Sequence, residues 1–226
     1  MKVSPNASLE TLAPLGCGLQ TGAGAVVNVL KVPQGSSIAI FGVGAVGFAA
    51  LMAAKTAQAE TIIAIDIHKS RLDLALELGA THTILSKDKN ISEEIRRIVD
   101  GGVEFAIDCT GVPLVIETMI DALGSRGKGV TIGSPGQGQK VSINVFDHLV
   151  NGRSYVGTHQ GDSNPAEVQF LIPPADYQFI PYLIREHEAG RFPFDEFVTH
   201  YNVEEINKAC ADVHSGAAIK AVILWK

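Results

Sequence analysis

The sequence predicts an α/β fold with a doubly wound parallel sheet, because short apolar runs alternate with helical patterns between residues 37 and 157. The runs are almost continuously apolar, which is typical of strands buried on both faces. Predicted strands cover Ser37–Phe41, Thr61–Asp66, Thr83–Leu85, Val103–Asp108, Gly129–Gly133 and Ser154–Gly157. Predicted helices cover Ala45–Ala57, Lys69–Leu78, Asn90–Val99 and Pro113–Leu123, and Gly79 is expected to end the second of them in a left-handed conformation.

The flanking segments predict pieces of a second domain, since they are too short to form a core of their own. Ser8–Val32 predicts a small-residue helix broken by glycine and proline. Towards the other end we expect helices over Asp176–Glu188 and Glu204–Ser215 and a strand over Ala218–Trp225. The expected division is therefore an α/β domain at residues 20–160, with residues 1–19 and 161–226 belonging to the other domain.

Composition narrows the class of protein. The 226 residues are 46% hydrophobic and 19% charged, as in an ordinary globular protein, and the net charge of −6 argues against nucleic acid as a partner. We expect no membrane segment, because the longest apolar stretch is too short to span a bilayer. No signal peptide is expected, and the three cysteines are few and widely spaced. These features predict a cytoplasmic protein.

A glycine-rich turn follows the first predicted strand, where Phe41 leads into Gly42-Val43-Gly44-Ala45-Val46-Gly47. Glycine at the first position permits a tight turn, and at the second it lets backbone approach a pyrophosphate. Glycine at the third lets the helix pack on the strand, with its N-terminus facing the phosphates. Because the motif lies between a strand and a helix, it indicates a Rossmann-type site; the alternative is a turn that merely joins the two elements.

An acidic residue completes this motif at the end of the second predicted strand. Asp66, nineteen positions after Gly47, can accept hydrogen bonds from both hydroxyls of a ribose, and its charge would repel a 2′-phosphate. Asp66 therefore predicts NAD rather than NADP, although His68, Lys69 and Arg71 could offset the charge, and the adjacent Ile67 is also expected to contact the cofactor. Arg71 has two interpretations, a contact along the adenosine ribose or a solvated surface charge.

The segment Ala13–Ala25 (APLGCGLQTGAGA), together with Gly79-Ala80-Thr81 and Gly190–Asp195 (GRFPFD), resembles the zinc-dependent medium-chain alcohol dehydrogenases. The likeness covers nearly the whole chain and is greatest for the aryl-alcohol (benzyl alcohol) branch. It implies hydride transfer between an alcohol and NAD.

The resemblance also implies roles for single residues. Thr21 matches a residue beside the nicotinamide, Val46 one behind the nicotinamide ring, and Lys220 a basic residue that reaches the pyrophosphate. Five further positions fall at strand ends that line the cofactor cleft in the family. They are Cys109, Thr110, Ile132, Gly133 and Ser134.

The resemblance supplies one candidate zinc ligand. Cys17 matches the last catalytic zinc ligand of the family, but the other ligands belong to an N-terminal GroES-like catalytic domain of which only a remnant can be matched here. A catalytic zinc needs three protein ligands, and the seven histidines show no metal-ligand spacing with a cysteine or glutamate. We therefore expect Cys17 to be a small packed residue without zinc, and we assign no catalytic residue.

Three functions remain open. The first is a shortened NAD-dependent alcohol dehydrogenase, with an aromatic alcohol as a candidate substrate. The second is a non-catalytic NAD(H)-binding module, which predicts an exposed apolar patch around Leu12–Leu19 and the C-terminal helices. The third is a zinc-free enzyme repurposed from the dehydrogenase fold. The resemblance further implies a homodimer or higher homo-oligomer, because in the family a strand near Val141–Val145 pairs with its symmetry mate. Ala166–Tyr177 is expected to be an inserted loop.

Overall fold

The computed structural model describes residues 8–87, 90–163 and 179–225. Six strands of this part form one parallel sheet, in the spatial order β3-β2-β1-β4-β5-β6. They are β1 (Ser37–Phe41), β2 (Thr61–Asp66), β3 (His82–Leu85), β4 (Val103–Asp108), β5 (Leu123–Thr131) and β6 (Ser154–Gly157). The chain reverses its direction across the sheet between β1 and β4, so a crevice opens there beyond the carboxyl ends of the strands.

The sheet is covered on both faces, as the apolar runs predicted. Ile38 and Ile40 of β1 pack into one hydrophobic cluster, whereas Ala39 and Phe41 pack into another on the opposite face. The central strand is buried along its whole length. This arrangement confirms the predicted doubly wound α/β class.

The described residues also form nine α-helices. They are α1 (Leu9–Leu12), α2 (Gly18–Gly24), α3 (Ala45–Thr56), α4 (Lys69–Leu78), α5 (Ile91–Ile98), α6 (Pro113–Asp121), α7 (Val145–Val150), α8 (Phe179–Glu188) and α9 (Ile206–Ser215). Helices α2, α3 and α4 contribute to the first cluster, and α5 and α6 to the second. Gly79 ends α4 at φ 117°, as predicted for a left-handed C-terminal residue.

The N-terminal helical segment differs from its prediction in where it breaks. It turns at Cys17 (φ −144°, ψ −90°), and a 3₁₀ turn (Ala13–Gly16) precedes α2. Gly22 and Gly24 lie inside α2 without interrupting it, and the helix continues as one π-helical stretch over Ala25–Leu30. The glycines are needed for packing, because a Cβ at Gly22 would lie 2.0 Å from the carbonyl oxygen of Val46 on α3.

Two predictions around β5 and β6 were wrong. β5 begins at Leu123 and ends at Thr131, earlier than the predicted strand, because the backbone N–H groups of Ile132 and Gly133 turn to donate to the carbonyl of Asp108. The stretch before Val145 carries no strand in this structure, and α7 begins there instead, with the Asn144 side chain accepting from the N–H of Asp147.

The C-terminal segment packs onto the first cluster. Phe179 and Leu183 of α8, with Phe194, are buried in the cluster that holds α3. β7 (Val198–Asn202), which the sequence did not predict, pairs in parallel with β8 (Lys220–Leu224) in a separate sheet. The predicted insertion Ala166–Tyr177 lies outside the described residues. The division expected at residues 20 and 160 stays a prediction.

The prediction of an exposed apolar patch around Leu12–Leu19 was wrong for Leu15 and Leu19. Leu15 and Leu19 are 1% and 0% exposed, because the 3₁₀ turn and α2 direct them into the first cluster. The exposed large apolar residues of the described part lie elsewhere. They are Leu9 at the start, Ile67, Leu76, Val112 and Leu114 around the sheet, Val145, Phe146, Leu149 and Val150 on α7, and Ile206, Val213 and Trp225 near the end.

Candidate dinucleotide site

The glycine-rich turn joins β1 to α3 at the crevice. Gly42 adopts φ 87°, a left-handed conformation, and its N–H donates to the carbonyl of Ile65 at 2.8 Å. A Cβ at Gly47 would lie 2.0 Å from the carbonyl oxygen of Gly42, so only glycine lets α3 start this close to the turn. At Gly44 the space is open, since the nearest heavy atom to an added Cβ is a guanidinium nitrogen of Arg71 at 4.0 Å. The turn thus leaves room for a ligand beside Gly44, at the N-terminus of α3.

Asp66 ends β2 beside this turn and is 6% exposed. One carboxylate oxygen, Oδ2, accepts from the N–H of Val43 at 2.9 Å, and the other, Oδ1, accepts from the N–H of His68 at 2.9 Å. Each oxygen has two lone pairs, so each keeps one for a further donor. The carboxylate is therefore held rigidly and can still accept two more hydrogen bonds.

Arg71 on α4 covers the same corner. Its Nη1 lies 3.8 Å from Oδ2 of Asp66, and its side chain is 19% exposed. Its Nε is buried and has no hydrogen-bond partner among the described residues. The Nη2 atom lies 3.6 Å from the position of a Cβ at Gly216, which follows α9. Arg71 is thus a largely buried cation next to the open space at Gly44, and the solvated-surface interpretation was wrong.

Asp108 ends β4 and is fully buried. It accepts from the N–H of Thr110 at 2.9 Å, from the hydroxyl of Thr110 at 2.6 Å, and from the N–H of Gly111 at 3.1 Å. Burial raises the pKa of Asp108 above its ordinary value, and these hydrogen bonds oppose the rise. The carboxyl group shapes the loop from β4 to α6, which forms the opposite wall of the crevice.

Cys109 follows Asp108 on that wall. Its thiol has a pKa well above the ordinary value, chiefly because of burial and secondly because of the charge on Asp108. The thiol stays protonated at neutral pH, and the residue is an apolar wall rather than a nucleophile.

These elements enclose a cleft of about 390 Å³. Seven of the residues that the sequence singled out line it together. They are Gly42, Gly44, Asp66, Ile67, Arg71, Cys109 and Thr110. His68, which the sequence placed beside Asp66, also lines the cleft. Sequence reasoning missed other lining residues, of which the main ones are Ser86, Ile91, Val112, Val115 and Thr118. Ser86 directly follows β3, so its place beyond a strand end was a signal that could have identified it.

The remaining predicted residues lie around this cleft or away from it. Ala45 and Val46 begin α3, and Thr21 lies on α2, which packs against Val46. Ile132, Gly133 and Ser134 follow β5 at the same edge of the sheet, and a Cβ at Gly133 would lie 2.1 Å from the nitrogen of Gly111. Lys220 lies on β8 and is not among the residues lining the cleft.

Cys17 is exposed, so the prediction of a small packed residue was wrong. Its backbone caps α2, with its carbonyl accepting from the N–H and the hydroxyl of Thr21 at 3.0 and 2.9 Å, and the thiol is left outside the core. Within residues 8–87, 90–163 and 179–225, no group of three or more histidine, cysteine, aspartate or glutamate side chains could hold a metal ion. The described residues therefore do not fit a catalytic zinc.

Among the helices of the described residues, none has the length and apolarity needed to cross a bilayer.

The strand order, the glycine turn at the switch point and the acidic end of β2 define the Rossmann class of doubly wound α/β folds. Within that class, the chain belongs to the zinc-binding dehydrogenase family of medium-chain alcohol dehydrogenases, whose family model matches residues 45–173.

Comparisons with known proteins agree. The chain is 35% identical to a geraniol dehydrogenase of Castellaniella defragrans and 35% identical to an alcohol dehydrogenase class-3 of Caenorhabditis elegans, in each case over 100% of this chain and 58% of the relative. Among solved structures it resembles a benzyl alcohol dehydrogenase from Acinetobacter calcoaceticus, with a TM-score of 0.92 and 42% identity over 100% of this chain and 59% of that one. An alcohol dehydrogenase zinc-binding domain protein from Burkholderia ambifaria gives a TM-score of 0.91 and 49% identity over 99% of this chain and 57% of that one. The chain thus spans 58% of the length of these curated relatives.

Proposed function

We propose that this chain binds NAD(H) across the crevice and is the cofactor-binding part of an alcohol dehydrogenase-type oxidoreductase. The observation that carries the proposal is the geometry of Asp66. Its carboxylate, held by the N–H groups of Val43 and His68, retains one lone pair on each oxygen, which matches the 2′- and 3′-hydroxyls of an adenosine ribose.

The rest of the cleft supports the same ligand. The diphosphate would lie at the open space beside Gly44, where the N-terminus of α3 and the cation of Arg71 both favour negative charge. Ile67 and Val112, which are 59% and 48% exposed, border the cleft and offer apolar surface to an adenine ring. When bound, the nicotinamide gives or takes the hydride.

NAD is favoured over NADP because the buried charge of Asp66 would face a 2′-phosphate. Arg71 offsets part of that charge, but at 3.8 Å it forms no hydrogen bond with the carboxylate. We therefore expect tighter binding of NADH than of NADPH. Titration of the purified chain with each cofactor, followed by the fluorescence of the reduced nicotinamide, tests this directly.

The substrate we propose for the whole protein is an alcohol, and the similarity to a benzyl alcohol dehydrogenase supports an aromatic one. The described residues supply no set of three metal ligands, so we derive no step through zinc. The second candidate, already open from the sequence, is a module that holds NAD(H) without redox chemistry. NADH formation from NAD and benzyl alcohol, assayed with metal analysis of the same sample, separates the two.

The partner we propose is a second copy of this chain. β6 is an edge strand of the sheet, and α7, which lies just before it in the chain, has no buried residue. Its apolar side chains Val145, Phe146 and Leu149 are each 73–75% exposed, which is unusual for a surface that stays in water. Pairing this face with its symmetry mate would cover it, and light scattering of the purified chain measures the assembly.

A further inference from the structure

Gln20 is a buried amide that joins two distant parts of the chain. It lies on α2 and is 1% exposed. Its Nε2 donates to the carbonyl of Gly16 at 2.8 Å, and its Oε1 accepts from the hydroxyl of Ser163 at 3.3 Å. The Ser163 hydroxyl also lies 2.6 Å from the carbonyl oxygen of Gln160, so its single hydrogen is shared between the two acceptors. Replacing Gln20 with an apolar side chain therefore removes the donor to Gly16 and this shared contact with Ser163.

On one side, Gln20 supports the turn before Cys17. The carbonyl it bonds belongs to Gly16, the last residue of the 3₁₀ turn, and the next carbonyl, of Cys17, accepts from Thr21. The start of α2 is thereby fixed by side chains as well as by its own backbone.

On the other side, Gln20 supports the turn that follows β6. Residues Gln160–Asp162 form a 3₁₀ turn, with Gly161 at φ 65°, and Ser163 comes directly after it. This turn packs closely on the same helical segment, because a Cβ at Gly24 would lie 2.6 Å from the carbonyl oxygen of Gly161. The side chain of Asn28 also donates to that oxygen at 3.1 Å.

The opposite face of α2 packs on the N-terminus of α3. A Cβ at Gly18 would lie 3.3 Å from Cγ2 of Val46, and the contact of Gly22 with the carbonyl of Val46 is closer still. Helix α2 therefore lies between the helix of the glycine turn and the turn beyond the carboxyl end of β6. A dinucleotide in a Rossmann fold crosses from the β1–β3 half to the β4–β6 half of the sheet, so its second nucleoside lies towards this side.

We propose that Gln20 is a positioning residue for the nicotinamide half of the cofactor. It touches no cofactor itself; it holds α2 against the turn of residues 160–163 and so fixes the walls between which the second nucleoside lies. The inference rests on the proposed function, NAD(H) binding in the crevice. The adenosine half, bounded by Asp66 and Arg71, does not depend on Gln20.

The test compares two ligands, NADH, which fills both halves, and ADP, which fills only the adenosine and phosphate part. Gln20→Met keeps the length of the side chain and removes both hydrogen bonds, and we expect NADH affinity to fall about tenfold while ADP affinity is unchanged. Gln34→Met, at an exposed position, is the matched control and should leave both affinities unchanged.

Ser163→Ala guards against a variant that fails to fold: it removes the hydroxyl contacts with Gln20 and with the carbonyl of Gln160, and it leaves the bond from Gln20 to Gly16 in place. This variant should also lower the ratio of NADH affinity to ADP affinity, by a smaller factor than Gln20→Met does. Equal losses for both ligands, or an unchanged ratio in Gln20→Met and Ser163→Ala, would overturn the role of Gln20. A wild-type chain that binds neither NADH nor ADP would overturn the proposed function, and this inference with it.

Discussion

The N–H of Val43 donates to the carboxylate of Asp66 across 2.9 Å, which ties the glycine-rich turn to the end of β2. The two residues are 23 positions apart, and neither is exposed enough to exchange this bond for water. The residue that we propose as the ribose acceptor thus also fixes the turn that we propose as the phosphate site.

Replacing Asp66 with alanine should therefore weaken NADH binding and relax discrimination against NADPH. The loss of an acceptor for two hydroxyls corresponds to about 1–3 kcal/mol, and removal of the charge eliminates the repulsion of a 2′-phosphate. Fluorescence titration with both reduced cofactors measures the change, with Asp73→Ala on the exposed face of α4 as control. Unchanged affinity for both cofactors would contradict the ribose assignment.

The second and third glycines of the motif, Gly44 and Gly47, should respond differently to substitution by alanine. Gly44 has φ −79° and open space around a Cβ, so Gly44→Ala should fold normally yet bind NADH about tenfold or more weakly, equivalent to about 1.4 kcal/mol. Gly47→Ala forces a Cβ to within 2.0 Å of a backbone oxygen, so it should lower the free energy of unfolding by about 1–3 kcal/mol.

Urea denaturation and NADH titration of both glycine variants give the comparison. If Gly44→Ala binds NADH as the wild type does, the diphosphate does not lie beside Gly44.

Asp108→Asn should destabilise the fold by about 1–3 kcal/mol, because an amide turns donor hydrogens towards groups that themselves donate. Since burial raises the pKa of Asp108 in the folded state, its contribution to stability is fully present below the unfolded pKa and is lost as pH rises through the folded value. The stability difference between wild type and Asp108→Asn should therefore widen as pH falls from neutral.

Urea denaturation of the two proteins at a series of pH values measures this difference. A difference that narrows on acidification would mean that the three donors outweigh burial and lower the pKa of Asp108.

The three cysteines should differ in reactivity towards a thiol reagent. Cys17 and Cys210 are exposed, whereas Cys109 is partly buried and its raised pKa keeps the thiolate scarce. In the native protein two thiols should react quickly and the third slowly, and saturating NADH should slow the third further because Cys109 lines the cleft. The double variant Cys17→Ser/Cys210→Ser leaves Cys109 as the thiol that is measured. Rapid modification of that variant would show that the thiol of Cys109 is accessible to the reagent.

Polar substitutions on α7 should break the assembly that we propose. Phe146→Glu combined with Leu149→Lys leaves the net charge unchanged and removes two of the exposed apolar side chains, so the variant should be monomeric at concentrations where the wild type is dimeric. Trp225→Ser, which removes an exposed aromatic near the end of the chain, serves as control. A monomeric wild type in light scattering would refute this interface.

The strands that were predicted correctly are marked by features of the sequence next to them. β1, β2 and β4 are short apolar runs whose ends are marked by glycine or aspartate, so periodicity and turn residues were enough to locate them. β7 was missed because Val198–Asn202 alternates weakly and is held by pairing with β8, which is a long-range contact. α7 was missed because it is six residues long and has no buried face to produce a helical pattern.

The residues of the candidate site likewise divide into those that local sequence identified and those that depended on tertiary contacts. Gly42, Gly44 and Asp66 could be identified because their residue types and spacing follow from the chemistry of a bound dinucleotide, and the sequence by itself determined the parallel sheet, the turn and the acid that ends β2. Whether Arg71 faces solvent or the cleft, whether Cys17 is packed or exposed, and which residue Gln20 reaches depended on contacts between segments as much as 143 positions apart. Only the tertiary structure decided these points, because burial and hydrogen-bond partners are properties of packed neighbours, whereas turns and strands are encoded in residues adjacent along the chain.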